Sequence, residues 1–545
     1  MPCTLGLPVP GAFCAGGTHR PLMEPVHMLL ARLKSRFIST PPSPWLSTAP
    51  VREELFGAER LEQHAISLAH AQTVTKRPPR VSSLRGRLDD NAAALLIVYR
   101  SEARALAQGG TVMPASEWLL DNYHLVEEQI REIREDLPPG YYKQLPKLAS
   151  GPFAGYPRVF GIAWAFIAHT DSHIEPLALQ RFLHAYQSVQ RLTIGELWAV
   201  AITLRIVLIE NLRRLADQIT VGMHARGQAD ALADATAPNA PQPPHQGAEI
   251  SEIFAAQLAK RLRGQDPRQT PLLQWLTDQL AAQASSIDDV VQHAQQRLGA
   301  SNLSVRNIVT SMRLMSAVDW TEMFEQVSTV DARLREYSDF GDLDFPTRNL
   351  YRTAVEYLSR RSPLTEIEIV DYALDASRAA HEAAPTLEVS ATPHVGALDI
   401  PAQRARDPGH HLIGAGRHAL EAAIGFRPPL RLSLARLTSK AGIGAYIAAV
   451  AATWALLMGA VLALLSPDLG LLALCGVGLL TLLPAWSAAT ACVDRLATWQ
   501  TAPALLPALA LRGGIPASMR TLLVVPTLLH SAESIAADVE RLEVH

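Results

Sequence analysis

Cysteine is scarce in this 545-residue sequence: only four are present, and no two stand at a spacing typical of metal ligands. Cys3 and Cys14 lie in a proline- and glycine-rich leader, whereas Cys475 and Cys492 lie inside a long apolar run. The sequence therefore predicts no cysteine-based metal site. On a cytoplasmic face the thiols would also stay reduced, which excludes a disulfide scaffold.

Net charge is small as well, because 49 Lys and Arg residues stand against 52 Asp and Glu residues, which leaves −3. A chain with this balance lacks the excess of basic residues that is typical of nucleic-acid-binding proteins, so we predict no nucleic-acid partner. The first 20 residues lack a basic region followed by an apolar core, which argues against a signal peptide. Residues 1–48 are predicted to be a disordered leader, with Met23 and Met28 as alternative translation starts.

Two long apolar runs are the strongest positive feature. Residues 441–465 and 469–492 carry no charged side chain and are joined by Ser466, Pro467 and Asp468. Each run can cross a bilayer core of about 30 Å, where only hydrogen-bonded helices satisfy the backbone. We predict a transmembrane helical hairpin over 441–492, with the lipid bilayer as its partner. A buried soluble hairpin is the alternative, which the length and uniform apolarity of the runs disfavour.

Basic residues flank this hairpin on one side. Arg427, Arg431, Arg436 and Lys440 precede the first run and Arg495 follows the second, while the turn holds no Lys or Arg. The positive-inside rule then predicts that both long flanks are cytoplasmic.

The rest of the chain has helical periodicity and no useful strand pattern before residue 520. We predict helical block 1 at 49–225, a linker rich in Ala, Pro, Asp and Gln at 226–248, and helical block 2 at 249–385. Residues 386–440 are predicted to be a loop and basic juxtamembrane segment, and 493–519 a connector. The most apolar soluble segment, 192–219, is expected to form a bundle core in which Arg205 and Glu210 need partners, structural or functional.

The run His169-Thr170-Asp171-Ser172-His173 allows two interpretations. Two histidines and an aspartate could bind a metal. We favour helix capping, in which Asp171 or Ser172 caps the next helix and Pro176 occupies an early helical position.

The last residues, 520–545, change character. Residues 521–525 form a short apolar run rich in branched side chains, Pro526 and Thr527 form a turn, and Ser531 caps an amphipathic helix. This pattern predicts a short βα stub of a parallel sheet on an otherwise mainly α protein. Ligands bind at the carboxyl ends of such strands, which makes Pro526 and Thr527 candidates for the edge of a nucleotide site.

Several strings resemble the cyclic β-1,2-glucan synthases, large inner-membrane glycosyltransferases of Gram-negative bacteria. They are 118–130 (WLLDNYHLVEEQI), 137–142, 169–172, 192–198, 210–215, 302–308, 311–313, 318–320, 344–345, 347–348 and 351–352. The resemblance implies an enzyme that polymerises glucose from UDP-glucose, with a divalent metal ion, into a protein-attached β-1,2-glucan chain that is closed into a ring. It also implies a multi-pass protein of the bacterial inner membrane, in which a glycosyltransferase domain and a phosphorylase-like domain follow the helical and membrane region.

The chain departs from that family in one respect. A sugar-nucleotide transferase needs carboxylates for its metal ion and a general base, and these belong to strands that follow residue 545 in the family. Asp342 and Asp344 spell D-x-D, but we interpret them as a loop and a helix start. We therefore expect an amino-terminal part of a synthase, with residues 520–545 as the start of its transferase domain, no catalytic residue or metal site of its own, and no activity alone. The alternative is a non-catalytic membrane-anchored helical scaffold or regulatory protein.

Overall fold

The computed structural model describes Trp45 and residues 47–109, 113–234, 250–264, 271–383, 404–467, 469–500, 506–517, 524, 526 and 531–544. Over these residues the chain is mainly helical, which confirms the predicted class. The sheet found within them is small: strands β1 (Val74–Thr75) and β2 (Lys147–Leu148) pair antiparallel. By its contacts the chain divides into two compact units, one made of Met1–Leu192 and Glu196–Trp320 and the other of Thr193–Gly195 and Thr321–His545.

Eleven helices lie wholly or mostly in the first unit as far as the structure describes it. They are α1 (Ala58–Ala71), α2 (Leu84–Ala107), α3 (Pro114–Asp121), α4 (Tyr123–Asp136), α5 (Pro139–Gln144), α6 (Arg158–His169), α7 (Pro176–Gln187), α8 (Ile194–Ala233), α9 (Glu252–Arg261), α10 (Pro271–Ala282) and α11 (Ile287–Ala317).

The helices described in the second unit begin with a group of shorter helices and end with two long apolar helices and a short amphipathic one. They are α12 (Trp320–Val327), α13 (Thr329–Tyr337), α14 (Phe345–Ser359), α15 (Glu366–Ala383), α16 (Pro408–Leu412), α17 (Arg417–Ala423), α18 (Leu430–Leu465), α19 (Leu471–Gln500) and α20 (Ala532–Val544). A 3₁₀ turn, Asp339–Asp342, precedes α14.

Helix α8 is the core of the first unit. Every residue from 199 to 212 is buried, including the consecutive residues Ile206, Val207, Leu208 and Ile209. A helix that is apolar on all sides must be covered on all sides. The predicted bundle core at 192–219 is therefore confirmed.

The predicted linker 226–248 is wrong at its beginning, because α8 continues through its first eight residues to Ala233. Ala225, Ala229 and Leu232 recur at helical spacing and pack on α9, where Phe254 and Leu258 are buried in the same cluster. The hydrophobic periodicity of this face is weak in the sequence, because two of its three buried residues are alanines. Residues 235–249 lie outside the described residues.

Tertiary contacts set two other boundaries. Helices α3 and α4 divide at Asn122, whose side chain donates to the Trp118 carbonyl at 2.8 Å and accepts from Arg313. The segment 386–440 holds α16, α17 and the start of α18 instead of a loop alone. Leu412 and Leu420 are buried there, so these short helices are ordered by packing rather than by a long periodic sequence.

Candidate functional site

The predicted membrane hairpin is present as two antiparallel neighbours, α18 and α19. Gly442–Leu465 and Leu471–Trp499 are both long and apolar enough to span a membrane, and only 6% of each apolar window is buried inside the protein. Large leucines such as Leu464, Leu472 and Leu480 are more than three-quarters exposed. Exposed apolar helices of this length are unfavourable in water, and a bilayer is the solvent that covers them.

Side chains from both helices hold the hairpin together. The Trp454 indole donates to the carbonyl of Leu482, two residues before Pro484, at 3.2 Å, and its ring centroid lies 6.4 Å from that of Trp486. Near the other end the Tyr446 hydroxyl donates to Asp494 at 2.7 Å. Because hydrocarbon offers polar groups no alternative partner, these bonds fix which faces of the two helices meet.

The chain reaches the first span through a defined break. Gly442 has φ 62° and ψ −151°, a conformation that is essentially restricted to glycine, and it separates the beginning of α18 from the span. Before the break, Arg436 donates to the buried Glu421 of α17 at 2.7 Å, and Arg417 donates to the same carboxylate at 3.0 Å. Burial alone would raise the pKa of Glu421, but the hydrogen bonds from the two arginines lower it below its usual value. The helical segment that precedes the first span is thus tied to α17 by a charged, partly buried contact.

After the second span the chain returns to the same unit. Leu509 forms an antiparallel bridge with Leu343, and the backbone of Ala508 and Ala510 bonds to that of Asp344 and Asp342. Both ends of the hairpin therefore contact other residues of one compact unit.

The D-x-D pair is confirmed as a loop and helix start. Asp344 caps α14, since its side chain accepts from the Thr347 amide at 2.9 Å, and Asp342 ends the 3₁₀ turn. A carboxylate engaged at a helix N-terminus is poorly suited to hold a metal ion on a diphosphate, so this pair does not fit the divalent ion of a transferase. Within the described residues no group of three or more His, Cys, Asp or Glu side chains is arranged to bind a metal.

The predicted nucleotide-edge residues are not brought into any site that the structure describes. Pro526 is exposed and lies in neither a helix nor a strand, and Thr527 is outside the described residues. Of the run 521–525 only Val524 is described, so the predicted strand stays a prediction. The helix after it is confirmed: α20 begins at Ala532, and the Ser531 hydroxyl accepts from the Ser534 amide at 3.2 Å.

The His169–His173 turn is a buried structural junction, and the capping prediction for it is wrong. Helix α7 begins at Pro176, as predicted, but Glu175 precedes it and no side chain caps it. Asp171 and Ser172 instead adopt positive φ angles of 50° and 62° and reach α11 and α8. Asp171 accepts from Ser304 at 2.5 Å, and Ser172 accepts from Asn211 at 2.8 Å.

The histidines of this turn do not form a metal site either. The His169 ring stacks on Phe56 at 4.0 Å, and its Nδ1 atom lies 2.7 Å from the Glu54 carbonyl. The junction thus connects the turn between α6 and α7 to α8 and α11, which lie more than 30 residues further along the chain. Residues of the strings 169–172, 210–215 and 302–308 therefore meet at this junction.

The buried charges of α8 have structural partners. Glu210 accepts from Arg87, Asn91 and Arg214, with every one of these bonds between 2.7 and 2.9 Å. Arg205 donates to Gln129 at 2.9 Å and forms an ion pair with Glu132 at 2.8 Å. The structural interpretation of both residues is therefore confirmed, and each charge is neutralised where it is buried.

Sequence inspection missed a second charged cluster in the second unit. Arg352 is fully buried on α14 and donates to Asp331 of α13 and Glu325 of α12. The rings of Phe324, Phe340 and Phe345 lie within 6 Å of its guanidinium. The sequence analysis includes Tyr351 and Arg352 only in a family-like string, and Phe345, two helical turns before Arg352 on the same helix, is the local signal for an arginine packed against aromatic rings.

A cleft of about 1700 Å³ opens in the first unit between α8, α9 and α11. Its walls are mostly aliphatic, with Ile219, Ile253 and Leu298 among them, and Arg226, Lys260 and Arg263 contribute charge. The lining residues that the structure describes include no aromatic ring, the usual stacking surface of a ligand pocket. They do not form a nucleophile, base and orienting group that would define a reaction.

The described residues thus define a class of protein: a helical protein with two candidate membrane spans that are held at both ends by its own helices. No protein-family model matches the sequence. The chain is 33% identical over 504 residues to cyclic beta-(1,2)-glucan synthase NdvB of Rhizobium meliloti (strain 1021). That similarity covers 91% of this chain and 17% of the relative, so the chain spans only part of that protein's length. Over 91% of its length the chain is therefore similar to the amino-acid sequence of a cyclic β-1,2-glucan synthase, the family that its motifs predicted.

Proposed function

We propose that this chain is the helical and membrane part of a cyclic β-1,2-glucan synthase, which builds cyclic glucan from UDP-glucose. The main support for this proposal is the 33% identity to the Rhizobium synthase over 91% of the chain. The strings that resemble the family include Glu210, Asp171, Ser304 and Arg352, which form the buried contacts of both units. Because these residues lie in the cores of their units, the resemblance supports a shared fold of this region.

In this proposal the chain supplies position and anchorage, and other domains supply the chemistry. The metal carboxylates, the donor site for UDP-glucose and the acceptor base would belong to a glycosyltransferase domain, and ring closure and trimming would involve a phosphorylase-like domain. The growing β-1,2-glucan and these two domains are thus the proposed partners. The acidic residues described above support this division. Asp344 caps a helix and Asp331 pairs with Arg352, so both carboxylates already have structural roles.

A domain exchange tests the proposal. The region of the Rhizobium synthase that matches this chain is replaced by this chain, and membranes are incubated with labelled UDP-glucose and a divalent ion. We expect label in a protein-linked product and in released glucan. The matched control replaces the same region with an unrelated two-span hairpin of the same orientation, and it should be inactive.

Two outcomes would contradict the proposal. An inserted, abundant exchange protein without incorporation would mean that this region cannot serve a synthase. Full activity of the unrelated hairpin would mean that this region serves only as an anchor and that its helical blocks do not position the transferase.

Orientation is a separate prediction. The basic flanks Arg427, Arg436 and Arg495 favour a cytoplasmic location for both ends of the hairpin in a bacterial inner membrane. A phosphatase reporter fused after His545 should be inactive, and one inserted at Pro467 should be active. A cytoplasmic reporter should give the opposite pattern at each position. A phosphatase signal from the carboxyl-terminal fusion would reverse the orientation and would separate this chain from a cytosolic sugar-nucleotide donor.

A further inference from the structure

The backbone just before α14 has an open edge. Leu343 and Asp344 both have extended conformations, with ψ angles of 151° and 161°, between the 3₁₀ turn and the first turn of α14. Consecutive extended residues present N–H and C=O groups that can pair with another strand. We call residues 342–347 the receiving edge.

The occupant of this edge is the chain that leaves the membrane hairpin. Residues 506–510, here called the exit segment, lie against it with the Asp344 amide donating to the Ala508 carbonyl at 2.9 Å and the Ala510 amide donating to the Asp342 carbonyl at 2.8 Å. These two bonds flank the pair Leu343 and Leu509, which makes it a non-hydrogen-bonded antiparallel pair.

A side chain of the receiving edge adds specificity to this pairing. The Ala508 amide donates to the Thr347 hydroxyl at 2.9 Å, and Thr347 is only 1% exposed. Asp344 caps the Thr347 amide, so the hydroxyl and the amide of Thr347 have separate partners. Leu343 is buried beneath the contact, while the exit segment itself lies at the surface.

We propose that the receiving edge is the docking site of the exit segment and that, together with the Glu421–Arg436 contact, it makes the second unit a clamp on both ends of the membrane hairpin. The clamp fixes where the chain beyond the second span begins relative to α14. This consequence rests on the proposed function, in which that chain leads to the glycosyltransferase domain. The docking itself does not depend on that function.

Cross-linking tests the docking in the full chain within native membranes. In a background with Cys3, Cys14, Cys475 and Cys492 replaced by serine or alanine, Leu343→Cys/Leu509→Cys should form a disulfide under mild oxidation. The matched control is Leu343→Cys/Leu506→Cys, which should react at least about tenfold more slowly, because only a directly opposed pair meets disulfide geometry. Equal rates for the two pairs would overturn the docking.

Substitutions in the receiving edge give an independent readout. Thr347→Val keeps the side-chain shape but removes the acceptor of the Ala508 amide, and it should speed trypsin cleavage at the exposed Arg512 about fivefold, the effect of one hydrogen bond. Thr353→Val, on the exposed face of the same helix, should leave cleavage unchanged. Unchanged cleavage in both variants would contradict a docked exit segment.

The functional consequence is tested in the exchange protein described above. Thr347→Val combined with Ala510→Pro should lower glucan incorporation severalfold at equal abundance, while Thr353→Val should not. Normal incorporation in the combined variant would refute the role of the clamp. If the parent exchange protein is inactive, the proposed function fails, and the cross-linking result still decides the docking.

Discussion

Replacing Glu210 with alanine is expected to lower the free energy of unfolding of the helical region by about 3–5 kcal/mol. The Glu210 side chain is completely buried and pairs with Arg87 and with Arg214, whose side chain is only 3% exposed. Without the carboxylate, two guanidinium groups lose their counter-charge, and Arg214 cannot reach water in the folded state. The measurement is the denaturant midpoint of the full chain in nanodiscs, followed by tryptophan fluorescence.

The control for Glu210 lies on the same helix. Asp217 forms an ion pair with Arg213 at 2.9 Å, but its side chain is 34% exposed, so Asp217→Ala should cost at most about 1 kcal/mol. A Glu210→Ala cost within the range of this control would mean that water reaches the cluster. The contrast depends on burial, since both pairs have good geometry.

The Glu210 carboxylate also makes the free energy of unfolding depend on pH. Burial would raise the pKa of Glu210, but hydrogen bonds from Arg87, Arg214 and Asn91 lower it below its ordinary value. A lowered folded-state pKa stabilises the fold above the unfolded-state value of about 4.3, and this contribution is lost as the pH falls through the folded-state pKa. As the pH falls below about 4.3, the free energy of unfolding should therefore decrease less steeply in a Glu210→Gln variant than in the parent.

Arg352→Ala is expected to have a comparable effect in the second unit, about 3–5 kcal/mol. The guanidinium is fully buried and donates to Asp331 at 3.0 Å and to Glu325 at 2.8 Å. Its removal leaves Asp331, which is also fully buried, with a hydrogen bond from the Ser328 hydroxyl at 3.1 Å and a longer ion pair with Arg335 at 3.8 Å. It also empties the space between Phe324 and Phe340.

Arg352→Lys should recover little of this loss, because an ammonium group cannot make the same planar, two-carboxylate contact. Arg360→Ala is the matched control at the C-cap of α14, since that arginine is about 41% exposed and forms a surface ion pair with Glu356. Limited proteolysis within 321–383 and the unfolding midpoint together give the readout. A fully stable Arg352→Lys variant would show that charge alone, rather than guanidinium geometry, holds the cluster.

Much of the fold was predictable because its causes are local. Uncharged runs of more than 20 residues identify the hairpin at 441–492 without any tertiary information. Helix starts were recognised where one side chain satisfies a nearby amide, as at Asp344 and Ser531. The core position of residues 192–219 followed from apolarity on every face.

Tertiary structure decided the features whose partners are distant in the sequence. Composition could say that Arg205 and Glu210 needed partners, but Arg87 lies 123 residues from Glu210 and Gln129 lies 76 residues from Arg205. The His169–His173 turn was misread for the same reason, since Asp171 bonds to Ser304, 133 residues away, instead of capping the adjacent helix. Capping is a local rule, and a long-range hydrogen bond to a buried carboxylate overrode it.

The sequence by itself determined that this protein is mainly helical, carries a membrane hairpin and resembles the glucan synthases. Only the tertiary structure decided that α8 extends to Ala233, that Arg352 joins α14 to Asp331, and that the exit segment pairs with Leu343. Periodicity reports whether one face of a segment is apolar, but not which other segment covers that face. Backbone pairing such as that of Ala508 with Asp344 leaves still less trace, because every residue except proline offers the same N–H and C=O groups.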